Sequence, residues 1–224
     1  MGNRPLDIVP RGLRAFGFIF GLAFMALGVT LSIKSGLGTS PISSVPYVLS
    51  LMSPLSLGSA TVMMNCFFIL MQIAILRKQY KPAHLLQLPA VLIFGCFLDA
   101  MGSFLYMLNY TSYGQQWLIC FAGIALTGLG ISLMVNSNLI VLPPEGMMLV
   151  IYVKMYGKIK NLVFGYVKIA FDLTLIAIAV ALCLALLPKI QGVREGTLAA
   201  ACLTGYAVKI FDKLFDRLRI FKKN

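Results

Sequence analysis

The sequence predicts an all-α integral membrane protein: six transmembrane helices in a 3+3 inverted repeat, each half holding one short helix broken by glycine and proline. Three observations carry that prediction. Hydrophobic residues make up 59% of the 224 and charged residues only 12%, with a mean hydropathy of +0.90. A soluble domain keeps roughly a quarter of its residues charged. Six stretches approach the roughly 20 apolar residues that cross about 30 Å of hydrocarbon. The chain also matches itself at a nearly constant offset.

The expected spans are residues 13–33, 59–76, 85–107, 116–135, 162–187 and 197–214. The first follows Arg4, Arg11 and Arg14, and no small-residue cleavage site succeeds it, so it reads as a retained span and not a signal peptide. The last carries Lys209, Asp212 and Lys213 near its end. A formal net charge of +12 would suit nucleic acid, but its distribution follows topology. With six spans and a cytoplasmic N-terminus, fifteen basic residues fall on the inside, among them Arg77, Lys78, Lys81, Lys154, Lys158 and Lys160. Only Lys34, Lys189 and Arg194 fall outside, the bias that orients membrane proteins. Anionic lipid headgroups are the expected neighbours of the basic face. Nucleic acid is not an expected partner.

Residues 21–41 and 123–143 align without a gap, with identities at Gly21/Gly123, Ala23/Ala125, Leu27/Leu129, Gly28/Gly130, Leu31/Leu133, Ser35/Ser137, Leu37/Leu139 and Pro41/Pro143. After a five-residue insertion Gly58 meets Gly165 and Asn65 meets Asp172, and a weaker match sets Gly95 opposite Gly205. The chain therefore divides into a cytoplasmic N-terminus (1–12), a first copy (13–110), a second copy (116–214) and a basic cytoplasmic tail (215–224). Three spans per copy is odd, so the second copy enters the membrane inverted, as in many secondary transporters. A rival count makes the short segments spanning too, with eight helices and parallel copies. The basic residues would then divide twelve against six, a poorer partition.

Those short segments are 41–54 and 143–156. Pro41, Pro46 and Pro54 in one, and Pro143 and Pro144 in the other, bar long continuous helices, while Pro41 and Pro144 suit the opening of short ones. Two readings stay open: re-entrant elements meeting near the middle of the bilayer, or interfacial helices lying flat on it.

Ionisable groups inside spans are expensive and mark candidate sites. Asp172 falls near the middle of the fifth span, and Lys168 lies four residues earlier on the same face, where the two can pair. A purely structural ion pair is the alternative. Asn65 is the repeat mate of Asp172, and Ser43 that of Glu145. Glu145 is either a proton or cation carrier or a helix-capping residue in headgroup water. Asp99 is expected to partner Lys168 or a loop lysine, and Arg194 to pair with Glu195. Thr39, Ser40, Ser43, Ser44, Tyr47, Asn136 and Ser137 supply neutral hydrogen-bonding groups around the breaks. Gly17, Gly21, Gly128 and Gly130 read as close helix-packing points. Cys66, Cys96, Cys120, Cys183 and Cys202 fall inside expected spans without CxxC spacing, and His84 stands alone in a basic loop. No HExxH, GxSxG, metal cluster or nucleotide loop occurs, so no enzyme activity, cofactor or metal is expected.

The run SGLGTSPISSVPYVLS (35–50), with PPEGM (143–147), KIAFD (168–172) and GVREGT (192–197), resembles the YitT/YczE-type family of small bacterial membrane proteins. The resemblance spans nearly the whole chain. It implies a multi-helix fold in the bacterial inner membrane and says nothing of chemistry. The residues themselves point to a transporter or channel for a small polar or charged solute, with a coupling proton or cation and room for a homo-oligomer. Two alternatives belong to other classes: a non-transporting module that recruits partners through its basic cytoplasmic face, or the solute-binding subunit of a multi-component importer.

Overall fold

Serine opens three of the helices. The hydroxyls of Ser40, Ser56 and Ser112 accept from the backbone N–H three residues on, satisfying donors that the first turn leaves free. In the computed structural model, which describes residues 11–156, 159, 162–187 and 191–218, the described residues form eight α-helices. They are α1 (Arg11–Lys34), α2 (Pro41–Met52), α3 (Leu57–Leu76), α4 (Gln87–Phe104), α5 (Tyr113–Ser137), α6 (Pro143–Tyr156), α7 (Phe164–Leu186) and α8 (Glu195–Leu218). Short 3-10 turns at Arg77–Gln79 and Pro82–Leu86 join α3 to α4. The readings that involve Arg4, Lys158, Lys160, Lys189 and the tail beyond residue 218 lie outside the described residues.

Five of these helices are long and apolar enough to cross a membrane, in the stretches Gly12–Lys34, Leu57–Gln79, Pro82–Phe104, Tyr113–Ser137 and Phe164–Leu186. Large apolar side chains such as Phe16, Phe67, Leu92, Leu118, Leu173 and Leu184 stand exposed on their outer faces. A water-soluble monomer does not carry so much contiguous apolar surface, so this is a multi-pass membrane protein. The sixth expected span, α8, has the length at 24 residues. Lys209, Asp212, Lys213, Asp216 and Arg217 on its last turns keep it less apolar than the others.

The core is a crossing of α1 with α5. A Cβ built on Gly28 would lie 2.5 Å from the Gly123 carbonyl oxygen, and one on Gly130 would lie 2.5 Å from that of Gly21. Gly21 also meets Met134, and Gly123 meets Ser32. Numbers that rise along α1 thus fall along α5: the two helices run antiparallel. Glycine permits this backbone contact, which supplies the dispersion energy that holds helices together in lipid. Gly128 makes the same kind of approach to Ala207 of α8.

Two clusters of loops gather at opposite ends of the bundle. At one end Lys34 Nζ donates to the Tyr106 carbonyl, Arg194 Nη1 donates to the Gly36 carbonyl at 3.0 Å, and Gly196 N donates to the Leu37 carbonyl at 2.9 Å. Gly38 adopts φ +106°, and a Cβ there would strike Thr197 Oγ1 at 2.4 Å, so glycine is required where this break packs against the start of α8. At the other end Gln72 Nε2 donates to the Pro143 carbonyl at 3.0 Å and to Gln87 Oε1. The break after α5 is thereby tied to α3 and α4.

The short helices α2 and α6 are half sunk into the bundle. Val45 and Val48 of α2 and Met147 of α6 share one buried cluster with Phe68 of α3 and Leu175, Ala179 and Cys183 of α7. Pro41 opens α2 and Pro143–Pro144 open α6, as their fixed φ favours. Pro46 lies inside α2 without ending it.

Candidate functional site

A cavity of about 400 Å³ lies at the centre of the bundle, with residues of all eight helices on its wall. The first turns of α2 and α6 both reach it. Positions that the sequence match pairs with one another occur together on this wall: Met25 with Thr127, Val29 with Ile131, Ser43 with Glu145, Thr61 with Lys168, Asn65 with Asp172, and Phe94 with Thr204.

Lys168 Nζ donates to Asp172 Oδ2 at 2.7 Å, the expected pairing one helical turn apart. The Asp172 side chain is 10% exposed and that of Lys168 is 45% exposed, so the carboxylate is held inside while the ammonium looks into the cavity. Asp172 Oδ1 is enclosed and meets no donor among the described residues. Asn65 Nδ2 donates to the Thr61 carbonyl at 2.8 Å, which fixes the amide's orientation and leaves its Oδ1 enclosed without a donor. Glu145 Oε2 is in the same condition. Each such oxygen, shut away from water and unpaired, costs about 1–3 kcal/mol. Natural proteins keep few of them without a use.

Ser40 and Ser43 also line the cavity, with Ser40 Oγ donating to Ser43 Oγ at 3.0 Å. The other residues singled out in the sequence lie elsewhere. Ser44 and Ser137 donate to the carbonyls of Pro41 and Met134 on their own helices. Thr39 is buried where its backbone N–H donates to the Gly192 carbonyl, and the Tyr47 ring rests on Gly192. Asn136 Nδ2 donates to Asp212 Oδ1 at 2.8 Å, and Ser132 Oγ donates to the same oxygen. The interior charge of α8 is therefore satisfied by α5.

Asp99 corrects an expectation. It pairs with no lysine among the described residues: its Oδ1 accepts from Gly58 N and its Oδ2 from Ser56 Oγ, each at 2.7 Å. A carboxylate at the positive end of α3 is favoured on charge as well as by hydrogen bonding. Arg194 and Glu195 do pair, Nε to Oε2 at 3.1 Å. Sequence reasoning missed Thr61, Thr127, Thr204 and Lys209 on the cavity wall. Thr61 could have been found as the repeat mate of Lys168.

The cavity is closed unequally on its two sides. In the first copy α3 packs on α4 with the backbones nearly touching, since a Cβ on Gly58 would lie 2.2 Å from the Gly95 carbonyl oxygen. Their mates in the second copy, Gly165 and Gly205, have nothing within 4 Å of a built Cβ. There α7 and α8 face each other across the cavity, with Phe164, Lys168, Gly205 and Lys209 on its wall.

Residues 12–213 match a model of a protein family of unknown function, DUF6198. The chain is also similar to the uncharacterized protein YyaS of Bacillus subtilis (strain 168), at 30% identity over 201 residues that cover 88% of this chain and 91% of that one. No solved structure matches. A multi-pass helical membrane protein whose match runs from the first span to the last turns of α8, this chain belongs to the DUF6198 family.

Proposed function

We propose that the protein is a secondary transporter or channel that passes a small polar or charged solute through the central cavity. In this reading its two copies are inserted in opposite directions as a 3+3 inverted repeat of six spans. α8 is the sixth span, α2 and α6 are re-entrant, and both termini lie in the cytoplasm of a bacterial cell, at the inner membrane. The resemblance to the YitT/YczE-type family points to the same membrane.

One observation carries the reading: positions related by the sequence duplication converge on one cavity, whose wall includes Asp172, Lys168, Glu145 and Asn65. The antiparallel crossing of α1 and α5 supports inverted insertion. So does the gathering of 34–40, 105–112 and 191–197 at one end, because six spans put all three on the outer side. On that topology the Gly58–Gly95 contact seals the outer side, and the gap between α7 and α8 leaves the cavity open towards the cytoplasm. Exchanging the two arrangements, with Gly165 and Gly205 packed and Gly58 and Gly95 apart, would open it outwards. Equal and opposite conformations of two inverted copies are the usual basis of alternating access.

In this mechanism Asp172 and Glu145 take up a coupling proton or cation, Lys168 balances Asp172, and Asn65 and Ser43 contact solute. Proteoliposomes loaded with a pH-sensitive dye test it against panels of small amines, amino acids and organic acids. Solute-dependent proton movement that is lost in Asp172→Asn and in Glu145→Gln supports the assignment. Movement unchanged in both variants removes the coupling roles, and absence of flux with every panel removes transport.

A further inference from the structure

We infer that the gap between α7 and α8 takes the carboxylate or phosphate group of an organic anion, which draws the two helices together as Asp99 draws α4 to α3. The inference rests on the transport reading and adds to it the charge of the solute and the way its binding closes the cavity.

The first copy shows what the second lacks. There the Asp99 carboxylate of α4 bridges to the first turn of α3, where Gly58 N and Ser56 Oγ both donate to it. Beside this bridge the two backbones all but touch at Gly58 and Gly95. In the second copy each partner in the bridge is exchanged. The alignment that pairs Gly58 with Gly165 pairs Ser56 with Val163, and the one that pairs Gly95 with Gly205 pairs Asp99 with Lys209. Val163 stands at the N-cap of α7 and supplies no side-chain acceptor to its first turn. Lys209 brings an ammonium where the first copy brings a carboxylate. The free N–H groups of a helix N-terminus carry partial positive charge, so a lysine in this place opposes the contact that Asp99 makes. The open glycines of α7 and α8 are the outcome.

Lys168, the mate of Thr61, adds a second ammonium to the same wall. It gives one N–H to Asp172 and keeps two of its three donors. Lys209 makes no ion pair among the described residues and lies over the Tyr206 ring of its own helix, 5.8 Å from the centroid. Asp172 and Glu145 share the wall, but water reaches neither Asp172 Oδ1 nor Glu145 Oε2, and Asp172 Oδ2 is bonded to Lys168. Two ammonium groups with donors to spare and an uncapped helix N-terminus thus line one gap, a set that suits an anion. Phe68, Phe94, Met64 and Ile131 leave the rest of the wall apolar, fit for the body of an organic molecule. The volume of about 400 Å³ falls in the roughly 300–1,000 Å³ range of small-molecule pockets. A guest anion that meets both lysines and the first turn of α7 completes the bridge missing from the second copy and closes the cavity on that side.

The test is the distance between spin labels at Ile169→Cys on α7 and Ile210→Cys on α8, both exposed positions. Full-length protein is used in an uncharged maltoside detergent, with its five native cysteines replaced by alanine. The probes are 3-phenylpropionate and phenyl phosphate, with 2-phenylethylammonium and the neutral 3-phenylpropanamide as controls. The expected result is a shorter distance with either anion and with neither control. Lys209→Gln should raise the anion concentration needed at least tenfold. Lys209→Asp supplies the carboxylate that Asp99 supplies in the first copy, and should shorten the distance with no ligand present. An unchanged distance in Lys209→Asp overturns the bridge. Shortening by the controls as much as by the anions, or by no anion at all, overturns the anion site. A soluble molecule and a lipid headgroup carry the same group, and added phosphatidylglycerol separates them: shortening by it alone keeps the anion site and gives it to lipid, not to a solute. A second label pair, Met63→Cys on α3 and Leu92→Cys on α4, judges the transport reading separately. Closure of α7 on α8 while this pair holds its distance keeps the anion site and removes alternating access.

Discussion

Replacing Gly58 with alanine would insert a methyl carbon 2.2 Å from the Gly95 carbonyl oxygen and 2.5 Å from Asp99 Oδ2. Both neighbours are held, one as helix backbone and the other by its bonds to Gly58 N and Ser56 Oγ. The new carbon fits only if α3 and α4 separate, and overpacking of this kind costs about 1–3 kcal/mol. At the mate, Gly165, nothing stands within 4 Å. At Gly205, also open and inside α8, alanine gains up to about 1 kcal/mol of helix propensity. For a chain of this size the first change corresponds to a fall of roughly 2–12 °C in unfolding temperature. Gly165→Ala and Gly205→Ala should leave it unchanged or raise it slightly. Thermal unfolding of the four single variants in one detergent, including Gly95→Ala, reads the pattern directly. Equal losses at Gly58 and Gly165 would show α7 packed on α8 as tightly as α3 on α4, and the unequal closure of the cavity would be refuted.

Further predictions follow from single contacts. Asp99→Asn keeps the shape of the α3 cap but removes its charge, so it should cost about 0.5–2 kcal/mol in unfolding and speed labelling of a cysteine at Thr61 from the end that bears Ser56. Lys168→Ala strands a buried carboxylate and should destabilise by about 1–3 kcal/mol, below the full penalty for a buried pair because the lysine is nearly half exposed. The double variant Lys168→Ala/Asp172→Ala should recover part of that loss in the same melt. Asp212→Ala leaves Ser132 Oγ and Asn136 Nδ2 without their shared acceptor. It should lower stability by about 1–3 kcal/mol, read by unfolding.

What could be read from the chain was local. The apolar stretches and the prolines of the two breaks placed every helix to within about three residues at most ends, because hydrophobic length and the fixed φ of proline are both written in sequence. The Lys168–Asp172 pair was legible because four residues on a helix make one turn. Asp99 and Asp212 were not, since the groups that satisfy them lie 41 and 80 residues away. Thr204 and Lys209 escaped notice for a related reason: only the approach of α8 to the cavity gives them a role. The unequal closure could not have been read at all. Both copies carry glycine at the matched positions, and only the packing distinguishes the closed pair from the open one.

Opposite insertion of the two copies is tested most directly by the sides on which matched loops emerge. Lys78 lies between the second and third spans of the first copy, and Gln191 occupies the corresponding place in the second. Single cysteines at these two positions, labelled by a membrane-impermeant maleimide in intact cells and in inverted vesicles, report their sides. The account predicts that Gln191→Cys reacts only from the outside and Lys78→Cys only from the cytoplasmic side. Reaction of both from the same side would contradict it.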